Sequence, residues 1–428
     1  MASVAQNGDL VNWLFVDMNS YFASVEQQEQ PRLRSKPTAV VTVDVDSTCC
    51  IAASYEAKAY GISTGTQLGE AKKRCPQLQV IEARHDLYVK YHNQIRDAVE
   101  SCLHISKVVS VDEMECMLLG REQQPANAFV LAKRVKQAIR DAVGECLRCS
   151  VGLAPNRLLA KAASNMQKPD GLVTITRSQL PQILFSLKPR DLPGVGERME
   201  LRLRSQGIHT MEQLYQLDME QMTKLWGGVL GTRLWLKLRG LDFDDRASQK
   251  TSIGHQHVLP PELRTREQAA AVGQKLLHKA GVRLRRAKLH TSGMVIFVLF
   301  SKPKDKSGES RYWLHSDRPL WEANLSFPAC QDTMTLINVF QQAWANCPDL
   351  KPVLVSVALV DLAPEEMQNL NLFGDMYGEW KFNRIAQVMD NMNEKYGSTA
   401  LYLGGIHHVR ETAPPRIAFQ SIPDISLK

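Results

Sequence analysis

The sequence predicts an α+β multidomain protein, and three observations carry that expectation. Residues 1 to about 180 alternate short apolar runs with stretches of helical spacing. Residues 186–240 contain no strand-like run and are punctuated by Gly194, Gly196, Gly207, Gly227, Gly228 and Gly231. Strand-length apolar runs then return between residues 292 and 359. A chain of 428 residues exceeds one core, since a domain takes roughly 100 to 200 residues. With 44% hydrophobic and 23% charged residues it has a globular composition rather than a disordered or fibrous one.

In order along the chain, residues 13–16 form an apolar run that ends at Asp17, and 21–28 follow with helical spacing, so the start reads as a strand feeding a helix. Further strands are expected at 39–43, 49–53, 107–111, 149–153 and 172–175, with helices at 87–102, 127–144 and 156–166. Residues 186–240 read as short helices, and the polar stretch 242–250 reads as a linker. A second α+β unit includes strands at 292–300, 320–325 and 352–359, and ends near Asp361, where the sequence turns polar.

An excess of 52 Lys+Arg over 45 Asp+Glu, net +7, is a mild signal for a polyanionic partner. Nine cysteines, an odd and scattered set, do not form a disulfide framework and suit a reducing cytoplasm. Cys146 and Cys149 make a lone C-x-x-C with no second pair at zinc-site spacing, so they read as ordinary buried thiols. The longest apolar run, 294–300, falls far short of the ~20 residues of a membrane span. No basic region followed by an apolar stretch marks the N-terminus, so neither export nor a membrane is expected.

Asp112 and Glu113 follow the apolar run 108–111, as Asp17 follows 13–16, so three carboxylates can converge at one sheet edge. Ionised carboxylates that close repel, and cations relieve the repulsion. Mg²⁺ is the natural candidate because it prefers hard oxygen ligands and takes one or two carboxylates plus substrate phosphates, and two such ions clamp an in-line phosphoryl displacement. A strand ending in Asp or Asp-Glu is also the composition of a solvated turn, and these residues alone leave both readings open.

The surrounding residues decide between them. VDMNSYFASVE at 16–26 and SVDE at 110–113 resemble the two catalytic motifs of Y-family DNA polymerases. The resemblance continues through ASYEAKAYG at 53–61, VGLAPN at 151–156, LAKAASNM at 159–166 and KPDG at 168–171. It implies a right-hand polymerase with a palm at 1–33 and 85–180, small fingers at 34–84, a helical thumb at 181–247, an α+β little finger at 248–361 and a C-terminal tail at 362–428. It also implies template-directed, low-fidelity translesion synthesis from primer-template DNA and deoxynucleoside triphosphates.

In that family Asp17 and Asp112 would bridge two Mg²⁺ ions, Glu113 would complete one site and Met18 would offer its backbone carbonyl. Tyr21 and Phe22 would be nucleotide-binding, Phe22 at the sugar-gate position, where a ring clashes with a ribose 2′-OH. Tyr55, Lys58 and Lys168 match triphosphate-binding positions. Lys58 replaces the Arg of many members, exchanging a bidentate fork for a point charge. Ala52 lacks a hydroxyl that some members carry, and MECM at 114–117 departs from the usual small residue first and acid last.

DLPGVG at 191–196 resembles a helix-hairpin-helix, whose turn at Gly194 and Gly196 would point backbone N–H groups at a DNA phosphate, with Arg198, Arg202 and Arg204 nearby. TSIG at 251–254 resembles the opening of the little finger, which carries basic runs at Arg283, Arg285, Arg286 and Lys288 and at Lys302, Lys304 and Lys306. QNLNLF at 368–373 resembles a sliding-clamp peptide, with Gln368, Leu370, Leu372 and Phe373 as anchors. AQVMDNMN at 386–393 and TALYLG at 399–404 are similar to the tail of the polymerase V catalytic subunit. Asn19 and Lys58 fit that branch, whereas Tyr55 fits polymerase IV. The polymerase V direction would add an accessory protein dimer and a recombinase filament as partners. The expected location is the cytoplasm, at the bacterial nucleoid. A catalytically silent scaffold of the same family is the main rival, and retention of Asp17, Asp112 and Glu113 argues against it.

Overall fold

The computed structural model describes residues 9–46, 48–243, 251–301, 319–367, 376–397 and 400–412, with the backbone alone for 376–380. They form two compact units that divide at residue 245.

The first unit begins β1 (Trp13–Met18), α1 (Tyr21–Glu29), β2 (Thr38–Val41), β3 (Cys50–Ala53), α2 (Tyr55–Lys58), α3 (Leu68–Arg74), β4 (Gln79–Glu82) and α4 (His85–Glu100). It continues with β5 (Lys107–Val108), β6 (Glu113–Met117), α5 (Pro125–Val143), β7 (Cys149–Ala154), α6 (Arg157–Met166) and β8 (Leu172–Thr174). Four short helices close it: α7 (Glu197–Ser205), α8 (Met211–Gln216), α9 (Met219–Trp226) and α10 (Val229–Leu238).

Its main sheet runs β5-β6-β1-β7-β8, so the first strand of the chain is the central one. Every residue of β1 is buried, as a strand covered on both faces requires. Alternation sends Leu14, Val16 and Met18 into the core built with α4 and α5, while Trp13 and Phe15 join Leu159, Ala160 and Ala163 of α6 and the apolar side chains of α7 to α10. Asp17 shares the Trp13 and Phe15 face. Close seating of α6 depends on Gly152 in β7, where a Cβ would stand 2.0 Å from the Ala160 carbonyl oxygen. Asn156 caps α6 by accepting from Leu159 N–H at 3.0 Å, and its amide donates to the carbonyls of Lys237 and Leu241 at 2.8 and 3.0 Å. A smaller sheet, β3-β2-β4, pairs β2 parallel to β4 and antiparallel to β3.

The second unit contains β9 (Ile253–Val258), α11 (Arg266–Arg286), β10 (Leu289–Phe300), β11 (Leu320–Cys330), α12 (Thr333–Trp344), β12 (Pro352–Pro364) and α13 (Met376–Tyr396). Its antiparallel sheet runs β11-β10-β12-β9, and its core joins Met294, Ile296 and Val298 of β10 to Leu276 and Leu277 of α11 and Phe340 of α12.

Three expectations change. The strand expected at 107–111 is only Lys107–Val108, because the chain must reverse between antiparallel β5 and β6, so Asp112 lies in the connecting turn and Glu113 opens a new strand. The boundary near Asp361 falls inside β12. Residues after it do not all form a detached tail. Ile406 and Val409 are buried in the second core, and the Lys275 ammonium donates to the carbonyls of Val409 (3.2 Å), Arg410 and Thr412.

Candidate active site

The centre of the main sheet gathers the carboxylates. Asp17 pairs in register with Glu113 on one side and Ser150 on the other, and Met18 N–H donates to the Asp112 carbonyl at 2.9 Å. Each carboxylate has its own partner: Lys168 Nζ lies 2.7 Å from Asp17 Oδ2, Lys161 Nζ lies 2.6 Å from Glu113 Oε2, and the Ser110 hydroxyl donates to Asp112. Asp17 is only 6% exposed. Burial pushes its pKa up to about 6 against the pull of Lys168, and Glu113 and Asp112 push the same way as burial. Burial raises Asp112 as well.

These carboxylates are hard oxygen donors, the chemistry a divalent ion prefers, with two ammonium groups as their partners here. Among the described residues no three metal-binding side chains are gathered closely enough to enclose an ion.

The turn from β1 into α1 is tied down by Asn19. Its N–H donates to the Arg148 carbonyl at 2.8 Å, its amide to Ser150 Oγ at 3.0 Å, and its side-chain oxygen accepts from Asp170 N–H at 2.7 Å. That links the strand end to the loop that carries Lys168. Phe22 stacks on Tyr88, with centroids 4.4 Å apart and planes at 17°. Tyr88 is held through its hydroxyl, 2.8 Å from Glu26, which also receives Arg84 Nε at 3.1 Å. Tyr21 takes a different place from the one expected. Its side chain is buried and its hydroxyl donates to the Tyr88 carbonyl at 2.6 Å, so only its backbone faces the turn. Lys58 Nζ lies 4.4 Å from the Tyr55 ring centroid, and burial, then Lys168, lowers its pKa.

The departures in the second motif are accommodated. Met114 is buried in the core, and Glu115 faces Arg157, which lies over the Trp13 ring at 4.2 Å. Lys161 was legible only as part of the 159–166 block. Its pairing with Glu113, and the support beneath Phe22 from Tyr88, Glu26 and Arg84, required the fold.

The hairpin turn is exposed. Gly194 has φ +88°, which favours glycine, while Gly196 is extended and caps α7. Arg198 is exposed, whereas Arg202 donates to the Leu225 carbonyl and Arg204 to Glu200. In the second unit Arg285 is not a surface cation. Its guanidinium is bidentate on Asp390, at 2.7 and 2.8 Å, and also donates to the Gln331 carbonyl at 2.8 Å. Lys302, Lys304, Lys306, Gln368, Leu370, Leu372 and Phe373 lie outside the described residues.

A sheet that presents carboxylates, with a small three-stranded sheet and a run of short helices in the same unit, fits the right-hand polymerase expected from the sequence, and comparisons with known proteins carry the assignment. Residues 16–165 match the impB/mucB/samB family, 190–242 the DNA polymerase-iota thumb domain, and 250–372 the impB/mucB/samB C-terminal domain. The chain is 34% identical over 402 residues to a DNA polymerase IV of Moorella thermoacetica, covering 91% of this chain and 94% of that one. DNA polymerase IV of Pelotomaculum thermopropionicum is 32% identical, covering 91% and 93%. A solved Y-family DNA polymerase chimera of Dbh and Dpo4 shares the fold, with TM-score 0.66, 20% identity and coverage of 82% of this chain and 99% of that one. The chain belongs to the Y-family DNA polymerases, the translesion class. Within that class, both relatives are polymerase IV proteins.

Proposed function

We propose that this polymerase extends a primer across damaged template positions, with Asp17, Asp112 and Glu113 as the carboxylates of nucleotidyl transfer. The observation that carries the reading is the register of β1 with β6, which sets Asp17 beside Glu113 although they are far apart in sequence. In the reaction the primer 3′-oxygen forms a bond to the α-phosphorus of a paired deoxynucleotide as the bond to the β-phosphate oxygen breaks. Two divalent ions, Mg²⁺ by its preference for hard oxygens, would supply charge neutralisation and an acidified 3′-hydroxyl when bound to Asp17, Asp112, Glu113 and the Met18 carbonyl.

The chain's own residues do the rest. Tyr55, Lys58 and Lys168 offer a hydroxyl and two ammonium groups to the triphosphate. Phe22, braced by Tyr88, excludes a ribose 2′-OH. Gly194, Gly196 and Arg198 grip a duplex phosphate without reading sequence, and Arg286 and Lys288 add an exposed cationic edge. The segment at 368–373 docks on a sliding clamp through Gln368, Leu370, Leu372 and Phe373. An accessory dimer and recombinase filament are further partners in the polymerase V direction, supported by Asn19, Lys58 and the tail motifs. Work of this kind belongs in the cytoplasm at the nucleoid.

Primer extension with Mg²⁺ and four dNTPs, with and without clamp, tests the reading. Extension that vanishes in Asp112→Ala supports it. No extension in any lane, with DNA binding intact, would favour a silent scaffold.

A further inference from the structure

A groove of about 550 Å³ opens in the first unit between the loop after α1, the start of α2 and the turn between α5 and β7. Three of its lining residues border the carboxylate site: Asn19 lies two positions past Asp17, Pro169 follows Lys168, and Tyr55 lies beneath the Lys58 ammonium. Arg34 and Arg148 also line it, Arg148 next to Asn19, whose N–H donates to its carbonyl at 2.8 Å. Among the described residues, Arg148 is bonded only through its backbone carbonyl, which leaves an exposed guanidinium. Arg34 uses Nε and Nη2 on the carbonyls of Gln27 and Gln28, both at 3.3 Å, and keeps Nη1.

We infer that this groove is an anion path for inorganic diphosphate, the product leaving the triphosphate end of the site. The proposal rests on the polymerase reading, because only that reaction releases diphosphate there. Charge balance along the wall fits a path better than a trap. Glu56 and Glu145 also line it, and although Glu56 accepts from Gln27 at 3.1 Å, the two acids offset the two guanidiniums. A polyanion held by Lys58 and Lys168 thus meets a second, weaker and more solvated set of donors on its way out. Weak, exposed charge contacts fall off with salt, so the groove should act most at low ionic strength.

Arg148→Glu tests this, with Arg148→Lys as the charge-keeping variant and Arg96→Glu, a half-buried site outside the groove lining where Arg96 pairs with Asp97, as the control for overall charge. The expected result in Arg148→Glu is unchanged single-turnover incorporation and dNTP KM. The inhibition constant for added diphosphate should rise about 5-fold at low salt and converge on wild type at high salt. Arg148→Lys and Arg96→Glu should stay near wild type. An unchanged inhibition constant, or an equal rise in dNTP KM, would overturn the proposal. Calorimetric titration of DNA-free protein with inorganic diphosphate separates the two readings. If wild type shows a weak second diphosphate site that Arg148→Glu lacks, yet wild type extends no primer, the polymerase reading fails while the anion site stands; the same sites and affinities in both proteins refute the groove.

Discussion

Lys161 and Lys168 in the first unit and Arg283, Arg285 and Arg286 in the second are alike as sequence, basic residues in short stretches, yet the two regions use them in opposite ways. Lys161 and Lys168 reach carboxylates at the centre of a sheet whose strands set the register. Arg285 is drawn into a partly buried pair with Asp390, while Arg286, one position on, is exposed. Successive residues on a helix project about 100° apart, so a run of like charges divides between core and solvent. A basic run is therefore no surface by itself, whereas a motif tied to strand ends fixes where its members point.

The largest expected effect tests the first half of that contrast. Asp112→Ala should lower single-turnover incorporation by on the order of 10⁴-fold, a loss typical of removing a member of a catalytic set, with thermal stability nearly unchanged. Next, Arg285→Ala should destabilise the protein by about 3–5 kcal/mol in urea unfolding, because it strands Asp390 without its partner. Recovery of much of that loss in the Arg285→Ala/Asp390→Ala double variant would confirm the coupling, and an unaffected single variant would return Arg285 to the surface.

Lys275 gives a smaller, pH-dependent signal. Burial lowers its pKa to about 8, below the usual lysine value, so between about 8 and 10 the unfolded chain holds the extra proton and stability rises with pH. Urea melts across that window should show a steeper rise in wild type than in Lys275→Met. The smallest effect belongs to Arg286→Ala: stability within about 0.5 kcal/mol, and a slope of log DNA affinity against log salt reduced by about one.

The convergence of the carboxylates was legible because VDM at 16–18 and SVDE at 110–113 place acids at positions the sheet brings into register. Strands β1, β2, β3, β7 and β8 were legible from their apolar runs, whereas β4 and β6 were missed because their apolar residues are flanked or interrupted by Gln79, Glu82, Glu113 and Glu115. Other features were not legible either. The turn at 109–112 is hidden in a run whose β-branched residues read as continuous strand. The buried hydroxyl of Tyr21 follows from where α1 packs, which residue type does not reveal. Helices α11 and α12 were missed, α11 because its apolar positions are mostly Ala and Gly, a weak stripe that packs tightly only once Phe340 meets Gly273. The packing of 404–409 into the second core depends on Lys275, more than a hundred residues earlier.

The central place of β1 also matters while the protein is being made. Strand β1 leaves the ribosome well before both of its neighbours, β6 at 113–117 and β7 at 149–154. Strand pairing over such separations is slow, because a long loop must close before any contact rewards it. Asp17 can gain its register with Glu113 only after about residue 117 has emerged, and the loop that carries Lys168 only after about residue 174, so an interrupted nascent chain ends without an assembled carboxylate site.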